Sequence, residues 1–570
     1  MKKIALVLFV TIVFLHVKLF GQHQFLLLNK PISSEITPQK PDSFYVKMQK
    51  GQFASIRITE KNVRLWAQVF DPSDSLMMIV DENQMGNKEV VSFFSKKSGD
   101  YKIKVLWNFT KPLSGKYSIT LDKLESEGKT FEQKAAQLLE GWYEEDAPGA
   151  AVLVIKDNKV LFKGTRGLAN MEEHIPIKSN SVFEIASCSK QFTGLAIAML
   201  IDKGLISLDD DIRKYIPEMP DYGSKITIRH LVYQISGIRS TDDLEFAGFT
   251  PEDVITLPMC IKFAINQRNL KFAPGERYNY SNTNYNLLAE IVSRVTKQSF
   301  ASWTKENIFD PLGMNVTFFK EDPGQIYANK VLCYSGIQSG FRQRPNNWAA
   351  TGASGLCTTL DDLGKWVNSF NTRQIINPHM EALLATKGLL NNGSTTNYAF
   401  GNEIKETNGE KEIIHLGLVN GFRTAIIRYP EQKMAFIYLS NDDNDATFQR
   451  YPKIKDLFMN GNVKEEKPDL SRVPKVDEVL KKMKIADEYK DTIELNQFTG
   501  TYFSEELSCI WKLKMKSGRL VIENLRINDI YLTYSGNDKF GFIEFTRDKS
   551  NNIIGFKVLG EGIDFLKNNQ

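Results

Sequence analysis

Short runs in which apolar and polar residues alternate follow one another through the first part of the chain. Turn-forming sequences such as Asp71-Pro72-Ser73-Asp74 separate these runs. A period of two is that of a β-strand with one buried face, and regularly spaced short strands are typical of an antiparallel sandwich. The sequence therefore predicts a β-sandwich module over residues 22–126. Its predicted strands are 44–48, 53–59, 65–70, 77–81, 89–94, 101–107 and 116–121.

The pattern changes at about residue 127, where apolar positions take helical spacing. A helix is predicted at 131–142 and a hairpin at 150–163, and the chain is mainly helical from there to about residue 370. Strands at both ends of a helical segment predict one antiparallel sheet with a large helical insertion, an α+β domain over 127–461. The returning strands are predicted at 412–416, 423–428 and 433–439.

Two further segments follow this domain. Residues 462–490 are rich in Lys, Glu, Asp and Pro and predict a charged linker. Alternating patterns then return, and they predict a small all-β module over 491–570. Its predicted strands are 510–515, 519–523, 530–534, 540–545 and 553–558.

The N-terminus combines a positive segment with an apolar run. Lys2 and Lys3 precede a largely apolar run at 4–15, which is shorter than the ~20 residues that a membrane-spanning helix requires. This pattern predicts a secretory signal peptide at 1–21. Leu19 stands where a small residue is expected before a cleavage site, so an uncleaved N-terminal anchor is the alternative. The sequence thus predicts an exported, soluble protein, either periplasmic or secreted.

Charge and cysteine content exclude several classes of function. The 72 basic and 68 acidic side chains nearly balance, at a net charge of +4, and no long basic cluster is present, so nucleic acid is not an expected partner. The five cysteines are scattered and form no Cys-x-x-Cys pair, which argues against a disulfide scaffold or a zinc site. The expected partner is a small-molecule or peptide substrate. Membrane association is expected only through the N-terminal segment.

Candidate chemistry begins at Ser187-x-x-Lys190, at the start of a predicted helix over 188–203. The same spacing recurs at 126–129 and 302–305, so the pattern alone decides little. In the plainest interpretation Ser187 is only a helix cap. In the functional interpretation Lys190 lies on the same helix face and reaches the Ser187 hydroxyl. The helix N-terminus favours negative charge there, and a lysine with a lowered pKa can act as a base.

The sequence around this pair, Val-Phe-Glu-Ile-Ala-Ser-Cys-Ser-Lys-Gln-Phe-Thr-Gly at 182–194, resembles the serine β-lactamase and penicillin-binding peptidase superfamily. The most similar branch is that of class C β-lactamases with their esterase, D-aminopeptidase and D-Ala-D-Ala carboxypeptidase relatives. The resemblance extends over about residues 130–460 and implies a β-lactamase-like central domain. That superfamily carries three motifs in a fixed order, and the chain matches the other two as well.

The second motif is a Tyr-x-Asn element at Tyr280 and Asn282. A competing match at Tyr327 and Asn329 lacks the flanking pattern. A phenol near a lysine can be partly ionised, and it can then act as base for the serine and acid for the leaving group. The Asn282 amide both donates and accepts hydrogen bonds, which suits a substrate amide. The plainer interpretation is an aromatic-rich packing loop.

The third motif is a Lys/His-x-Gly element on a predicted strand, formed here by His415, Gly417 and the following Leu418. Matches at 97–99 and 516–518 are better interpreted as hairpin turns. His415 stands where class C β-lactamases and many peptidases carry lysine. Histidine is largely neutral near pH 7 unless a carboxylate raises its pKa. A weaker hold on a substrate carboxylate follows, which favours esterase or aminopeptidase activity over β-lactamase activity.

The resemblance implies a mechanism for these residues. Ser187 attacks a carbonyl and forms an acyl-enzyme, while Lys190 and Tyr280 share the proton transfers. The backbone N–H groups of Ser187 and Leu418 form the oxyanion hole, and no metal or organic cofactor is implied. Asn282 and His415 orient the substrate. The implied site residues are, in chain order, Ser187, Lys190, Tyr280, Asn282, His415, Gly417 and Leu418.

The sequence therefore predicts an exported serine hydrolase that acts on an amide, ester or lactam carbonyl. Its substrate would be a D-amino peptide, an ester or a β-lactam, and these alternatives stay open. A second hypothesis is a catalytically silent or slow-turnover receptor of the penicillin-binding type that binds cell-wall peptides. The roles of the two flanking β modules are not predicted.

Overall fold

A computed structural model describes residues 23–568 of the chain apart from 39, 62, 82–87, 109–113, 251, 338–339, 408, 445, 462–493 and 524–528. The predicted signal peptide at 1–21 and the predicted charged linker at 462–490 lie outside the described residues, so both stay predictions. None of the helices in the described part has the length and apolar character that crossing a membrane would need.

The N-terminal module consists of two sheets that share one apolar core. One sheet has the strand order β1-β3-β8-β5-β6 and the other β2-β9-β4-β7. On β3, Phe44, Val46 and Met48 are buried in alternation with more exposed residues. Patterns of this kind predicted seven of the nine strands, whereas β1 and β2 were not predicted. The strands are β1 Gln24–Phe25, β2 Ile32–Ile36, β3 Asp42–Met48, β4 Gln52–Glu60, β5 Leu65–Phe70, β6 Leu76–Val80, β7 Lys88–Phe94, β8 Gly99–Trp107 and β9 Gly115–Ser126.

The central region is built on a seven-stranded antiparallel sheet of order β11-β10-β25-β24-β23-β22-β21. Two of its strands precede the helical insertion and five follow it, so the predicted α+β arrangement is confirmed in outline. The predicted domain boundaries stay predictions. The strands are β10 Ala150–Lys156, β11 Lys159–Arg166, β21 Tyr398–Ala399, β22 Asn402–Thr407, β23 Glu410–Val419, β24 Phe422–Tyr429 and β25 Met434–Ser440.

Nine helices and several short strands complete the described part of this region. The helices are α1 Phe131–Trp142, α2 Lys190–Asp202, α3 Ile228–Val232, α4 Leu257–Asn266, α5 Asn282–Thr296, α6 Phe300–Thr304, α7 Leu360–Thr372, α8 Pro378–Ala385 and α9 Ala446–Asn460. The short strands are β12 Leu168–Asn170, β13 Ile175–Pro176, β14 Phe183–Glu184, β15 Ile255–Thr256, β16 Phe318–Phe319, β17 Tyr334–Ile337, β18 Gly340–Gln343, β19 Trp348–Ala349 and β20 Leu356–Thr358.

Helices cover both faces of the central sheet. On β10, Val152 and Val154 pack in a core with α1 and α9, whereas Leu153 and Ile155 pack in the core that contains α2, α7 and α8. Because both faces are covered, every residue of β24 and β25 is buried, and β25 is a nearly continuous apolar run. Helix α1 begins at a capping box, in which the side chains and backbones of Thr130 and Gln133 bond reciprocally.

One predicted boundary changes in the structure. The helix predicted at 188–203 begins at Lys190, because a 3-10 turn, Ala186–Ser189, precedes it. Ser189 closes that turn, since its hydroxyl donates a hydrogen bond of 2.5 Å to the carbonyl of Ala186. Ser187 therefore lies inside the turn rather than at the cap of α2.

The C-terminal module is a nine-stranded sheet of order β29-β28-β27-β26-β34-β33-β32-β31-β30. Its apolar side shares a core with the helical insertion, where Leu244 and Phe263 pack with Trp511 and Phe565. The strands are β26 Gly500–Ser504, β27 Cys509–Lys516, β28 Arg519–Glu523, β29 Ile530–Tyr531, β30 Tyr534–Gly536, β31 Lys539–Phe540, β32 Ile543–Arg547, β33 Ile553–Val558 and β34 Ile563–Asn568.

Candidate active site

Ser187 is presented by the tight turn between β14 and α2. Ala186 has a left-handed backbone conformation, with φ of +49°, which costs a residue with a Cβ atom roughly 1–2 kcal/mol. Thr424 on β24 supports the turn, because its hydroxyl donates to the carbonyl of Ile185 at 2.9 Å. The Ser187 side chain is partly exposed. Strain at such a position is typical of functional sites.

Lys190 is the centre of the candidate site. Its side chain is fully buried. The Nζ atom lies 3.0 Å from Oγ of Ser187, 2.6 Å from Oδ1 of Asn282 and 2.7 Å from the carbonyl oxygen of Ala353. The residues of the first two sequence motifs therefore meet at one nitrogen atom.

The protonation of Lys190 follows from its surroundings. Burial lowers the pKa of Lys190 to about 7, and the negative charge of Asp242 opposes this shift only in part. A neutral amine has two N–H bonds and one lone pair. The carbonyl of Ala353 and Oδ1 of Asn282 can only accept, so they take the two N–H bonds. The lone pair is then directed at the Ser187 hydroxyl, which is the arrangement of a base and its nucleophile.

Asp242 fixes the orientation of the Asn282 amide, although no sequence motif marks it. Both of its carboxylate oxygens accept from Nδ2 of Asn282, at 2.8 and 2.9 Å. The amide oxygen of Asn282 must therefore face Lys190. Asp242 is itself exposed, and it lies in a 3-10 turn, Thr241–Ala247.

Tyr280 stands beside the amine. Nζ of Lys190 lies 4.8 Å from the Tyr280 ring centroid. The hydroxyl oxygen is buried and faces the Ser187 side chain without a hydrogen bond of regular geometry to a described residue, while the ring is partly exposed. Burial raises the pKa of Tyr280 well above its ordinary value, and the Ser187 side chain offsets only part of this shift. The expectation of a partly ionised phenol is therefore wrong in direction, because the hydroxyl is protonated near pH 7.

His415 lies on β23 with both ring nitrogens engaged. Nδ1 is 2.6 Å from the carbonyl of Leu416 and therefore carries the proton, so Nε2 accepts from the Tyr398 hydroxyl at 3.0 Å. Burial lowers the pKa of His415 to about 3, and the charge of Lys190 acts in the same direction. His415 is thus neutral near pH 7, as the sequence predicts. Its role in orienting the substrate stays a prediction.

Gly417 lets β23 pass close to the serine turn. A Cβ atom on Gly417 would stand 2.1 Å from Oγ1 of Thr424 and 2.5 Å from the carbonyl oxygen of Ile185. The neighbouring Leu418 has an exposed side chain, at 58% of its surface. Strand β22 pairs with β23 only as far as Ile414, so the backbone beyond it, Leu418 included, pairs only with β24. An oxyanion role for the Leu418 N–H group stays a prediction.

Substitution of Gly417 by alanine is expected to lower kcat/KM by about 10²-fold, because the added methyl group must push β23 away from the serine turn. Steady-state kinetics test this. Gly324→Ala is the control, since a Cβ atom there meets only the Asp322 side chain, at 3.3 Å. If Gly417→Ala had the kcat/KM of the wild type, the close approach of β23 to the serine turn would be contradicted.

The C-terminal module contacts the segment that carries Asp242. Arg239 is 1% exposed and pairs with Glu506 at 2.6 Å. Its other guanidinium nitrogens donate to the carbonyls of Glu561 at 2.7 Å and Gly562 at 3.1 Å. The C-terminal module therefore holds Arg239 in place, three residues before Asp242 in the chain.

Loss of this buried ion pair is expected to destabilise the contact. Glu506→Gln leaves the Arg239 charge buried without its partner, which costs about 3 kcal/mol. Glu505→Gln is the matched control, because the neighbouring Glu505 forms an exposed pair with Arg268, and exposed pairs contribute about 0–1 kcal/mol. Thermal unfolding of both variants tests the difference. Equal melting temperatures in the two variants would show that the Arg239–Glu506 pair does not stabilise the fold more than the exposed pair does.

Of the seven predicted residues, the structure brings together the side chains of Ser187, Lys190, Tyr280, Asn282 and, next to Tyr280, His415. The backbone of Gly417 adjoins the serine turn. The structure does not place the competing Tyr327 there, since the Tyr327 hydroxyl contacts Cys357 instead. Sequence reasoning missed Asp242, Ala353 and Tyr398. Ala353 contributes only its backbone carbonyl, which has no side-chain signature.

A protein-family model described as Beta-lactamase matches residues 129–457. Among curated proteins, a penicillin-binding protein of Bacillus subtilis is 29% identical over 314 residues, covering 52% of this chain and 69% of that protein. A D-aminopeptidase of Gluconobacter oxydans is 27% identical over 295 residues, covering 52% of this chain and 56% of that protein.

Solved structures have the same fold. A penicillin-binding protein homologue from Pyrococcus abyssi, described as octameric, superposes with a TM-score of 0.52 at 23% identity. The match covers 75% of this chain and 95% of that one. At 23% identity this similarity shows a shared fold and does not show a shared function.

Proposed function

Because the chain belongs to the Beta-lactamase family of serine hydrolases, we propose that it hydrolyses amides or esters through an acyl-enzyme on Ser187. The observation that carries this proposal is the 3.0 Å contact between Nζ of Lys190 and Oγ of Ser187. Neutral Lys190 takes the hydroxyl proton while Oγ attacks the carbonyl carbon. The N–H groups of Ser187 and Leu418 then stabilise the oxyanion, and such a donor typically contributes ~10²–10³ in rate.

Tyr280 completes the proton transfers in this proposal. Its protonated hydroxyl is suited to give a proton to the leaving amine or alkoxide, and the resulting phenolate is stabilised by the newly protonated Lys190. Water then attacks the acyl carbonyl and gives a proton to the Tyr280 phenolate. The Ser187–acyl bond breaks, the acid product leaves, and Lys190 returns its proton to Oγ of Ser187.

Two features favour a substrate with a free amino group. The neutral His415 offers no positive charge for a substrate carboxylate, which disfavours β-lactams. The exposed Asp242 carboxylate beside Asn282 suits a substrate ammonium. Similarity to a D-aminopeptidase supports the same choice. We therefore propose small D-amino acid amides, esters and peptides, including those derived from cell walls, as substrates met after export.

A substrate panel tests this proposal. The wild type is expected to hydrolyse D-alanine p-nitroanilide with a kcat/KM at least tenfold above that for its N-acetyl derivative, and to hydrolyse nitrocefin slowly. Asp242→Asn should abolish the preference for the free amine, and the ratio between two substrates cancels any general loss of activity. Nitrocefin as the best substrate would contradict the assignment. Stoichiometric acylation without turnover would indicate a slow-turnover receptor.

The activity is expected to rise with pH around 7. Below the Lys190 pKa of about 7 the amine is protonated and has no lone pair for the Ser187 proton, so kcat/KM falls as pH falls. In Asp242→Asn the fall of kcat/KM should occur at lower pH, because the Asp242 charge raises the Lys190 pKa. Rates measured from pH 5 to 9 test both statements. A flat profile across neutrality would contradict the role of Lys190.

A further inference from the structure

A cavity of about 250 Å³ lies away from Ser187, between the central sheet and helices α7 and α8. Lys411 lines this cavity and Gly417 adjoins the serine turn. Both residues are on β23, so at ~3.3 Å per residue they are about 20 Å apart. The cavity is therefore separate from the candidate active site.

Arg428 lies in the wall of the cavity as a buried cation that forms no ion pair with a described residue, although the negative charge of Glu381 acts on it. It is 7% exposed, and Nε has no hydrogen-bond partner. Among the described residues its guanidinium forms no ion pair, and its Cζ atom stacks 3.4 Å from the Phe370 ring centroid. Burial lowers the pKa of Arg428 to about 9, so the group is still charged near pH 7. A buried charge left unpaired is costly, which indicates that an anion belongs beside it.

Two more cationic side chains line the cavity, Lys411 at β23 and Lys433 next to β25. Ile413 on β23 and Ala435 on β25 are the cross-strand partners of Arg428. Lys411 stands two residues before Ile413 on β23 and therefore shares its face of the sheet, while Lys433 lies in the turn that precedes β25. Both lysines line the cavity. Neither lysine forms an ion pair with a described residue. Three cationic side chains, Lys411, Arg428 and Lys433, therefore line the same cavity.

The remaining charges of the lining set the charge of the ligand. Glu381 and Glu431 also line the cavity, and Glu381 already accepts from Arg373 at 3.2 Å. Three positive and two negative side chains leave a net formal charge of +1. A monoanion complements this charge better than a dianion.

We propose that this cavity binds a small carboxylate that also carries a hydrogen-bond donor. The carboxylate lies in the plane of the Arg428 guanidinium, where two parallel N–H···O bonds form, and the stacked Phe370 ring holds that plane in place. Oδ1 of Asn368 on α7 is buried without a partner and accepts the ligand's donor. Leu384 and Met434 contact its apolar part.

Calorimetric titration of the full-length Ser187→Ala protein tests this proposal independently of catalysis. The probes are L-lactate, propionate, which lacks the donor, and inorganic phosphate. L-lactate is expected to bind at one site and propionate several-fold more weakly. Arg428→Met should weaken L-lactate binding at least tenfold. Arg229→Met, which removes an exposed arginine paired with Asp209, should leave the affinity unchanged.

Folding of the variants is checked by thermal unfolding without anion. Arg428→Met is expected to melt at or above the parent temperature, because it removes an unpaired buried charge. Arg428→Lys keeps the charge without the planar fork and should weaken L-lactate binding several-fold. Unchanged affinity in both Arg428 variants, or no binding of L-lactate by the parent, would overturn the proposal. Tighter binding of phosphate than of L-lactate would overturn the choice of a carboxylate.

Discussion

Ser187→Ala is expected to lower kcat for hydrolysis of the preferred substrate by about 10⁴-fold or more, with little change in KM. The Ser187 oxygen is the atom that forms the acyl bond, and without it only binding and oxyanion stabilisation remain. The variant should fold normally, because the Ser187 side chain is partly exposed and does not cap α2. Steady-state kinetics and thermal unfolding measure the two effects separately.

Ser302→Ala is the matched control for this result. Ser302 belongs to another Ser-x-x-Lys pair, but its Lys305 is bound to Asp310 at 2.5 Å. Its activity should equal that of the wild type, because this lysine remains a paired ammonium. If Ser187→Ala retained a tenth or more of the wild-type kcat, Ser187 would not be the nucleophile.

Lys190→Met is expected to lower kcat by ~10²–10⁴-fold, the usual contribution of a positioned general base. Methionine fills similar space but has no lone pair for the Ser187 proton. It also leaves Oδ1 of Asn282 and the carbonyl of Ala353 without the amine, and each such buried acceptor costs about 1–3 kcal/mol. Kinetics should therefore be measured well below the melting temperature of the variant.

Two comparisons distinguish loss of the base from loss of structure. Lys190→Arg restores donors to Asn282 and Ala353 but cannot give up a proton near pH 7, so it should be about as inactive as Lys190→Met. Lys305→Met removes the exposed lysine of the other pair and should keep wild-type activity. An active Lys190→Arg variant would show that Lys190 only positions its neighbours.

The positions of most strands in the N-terminal module could be predicted because apolar and polar residues alternate along them. On β3 the alternation of Phe44, Val46 and Met48 with polar residues predicted one buried face. The packing of α1 and α9 on one face of the central sheet had no such signal, because both faces of β24 and β25 are buried. Contact between Arg239 and the C-terminal module joins residues more than 260 positions apart, which local patterns do not predict.

The candidate site could be predicted where spacing within a motif decides the contact. Ser187 and Lys190 are one helical turn apart, so their meeting follows from local geometry. Asp242 acts through a tertiary contact with Asn282, and no local pattern marks it. The protonation of Tyr280 was wrongly predicted because it depends on burial of the hydroxyl. Proximity to a lysine alone does not indicate an ionised phenol.

The most direct test of an activated Ser187 is the intact mass of the protein after incubation with a fluorophosphonate probe. The wild type should gain one adduct, Ser187→Ala none and Ser302→Ala one. The wild-type reaction should also slow as pH falls below about 7, where Lys190 becomes protonated. A folded wild-type protein without an adduct, or an equal adduct on Ser187→Ala, would contradict the assignment of Ser187 as the nucleophile.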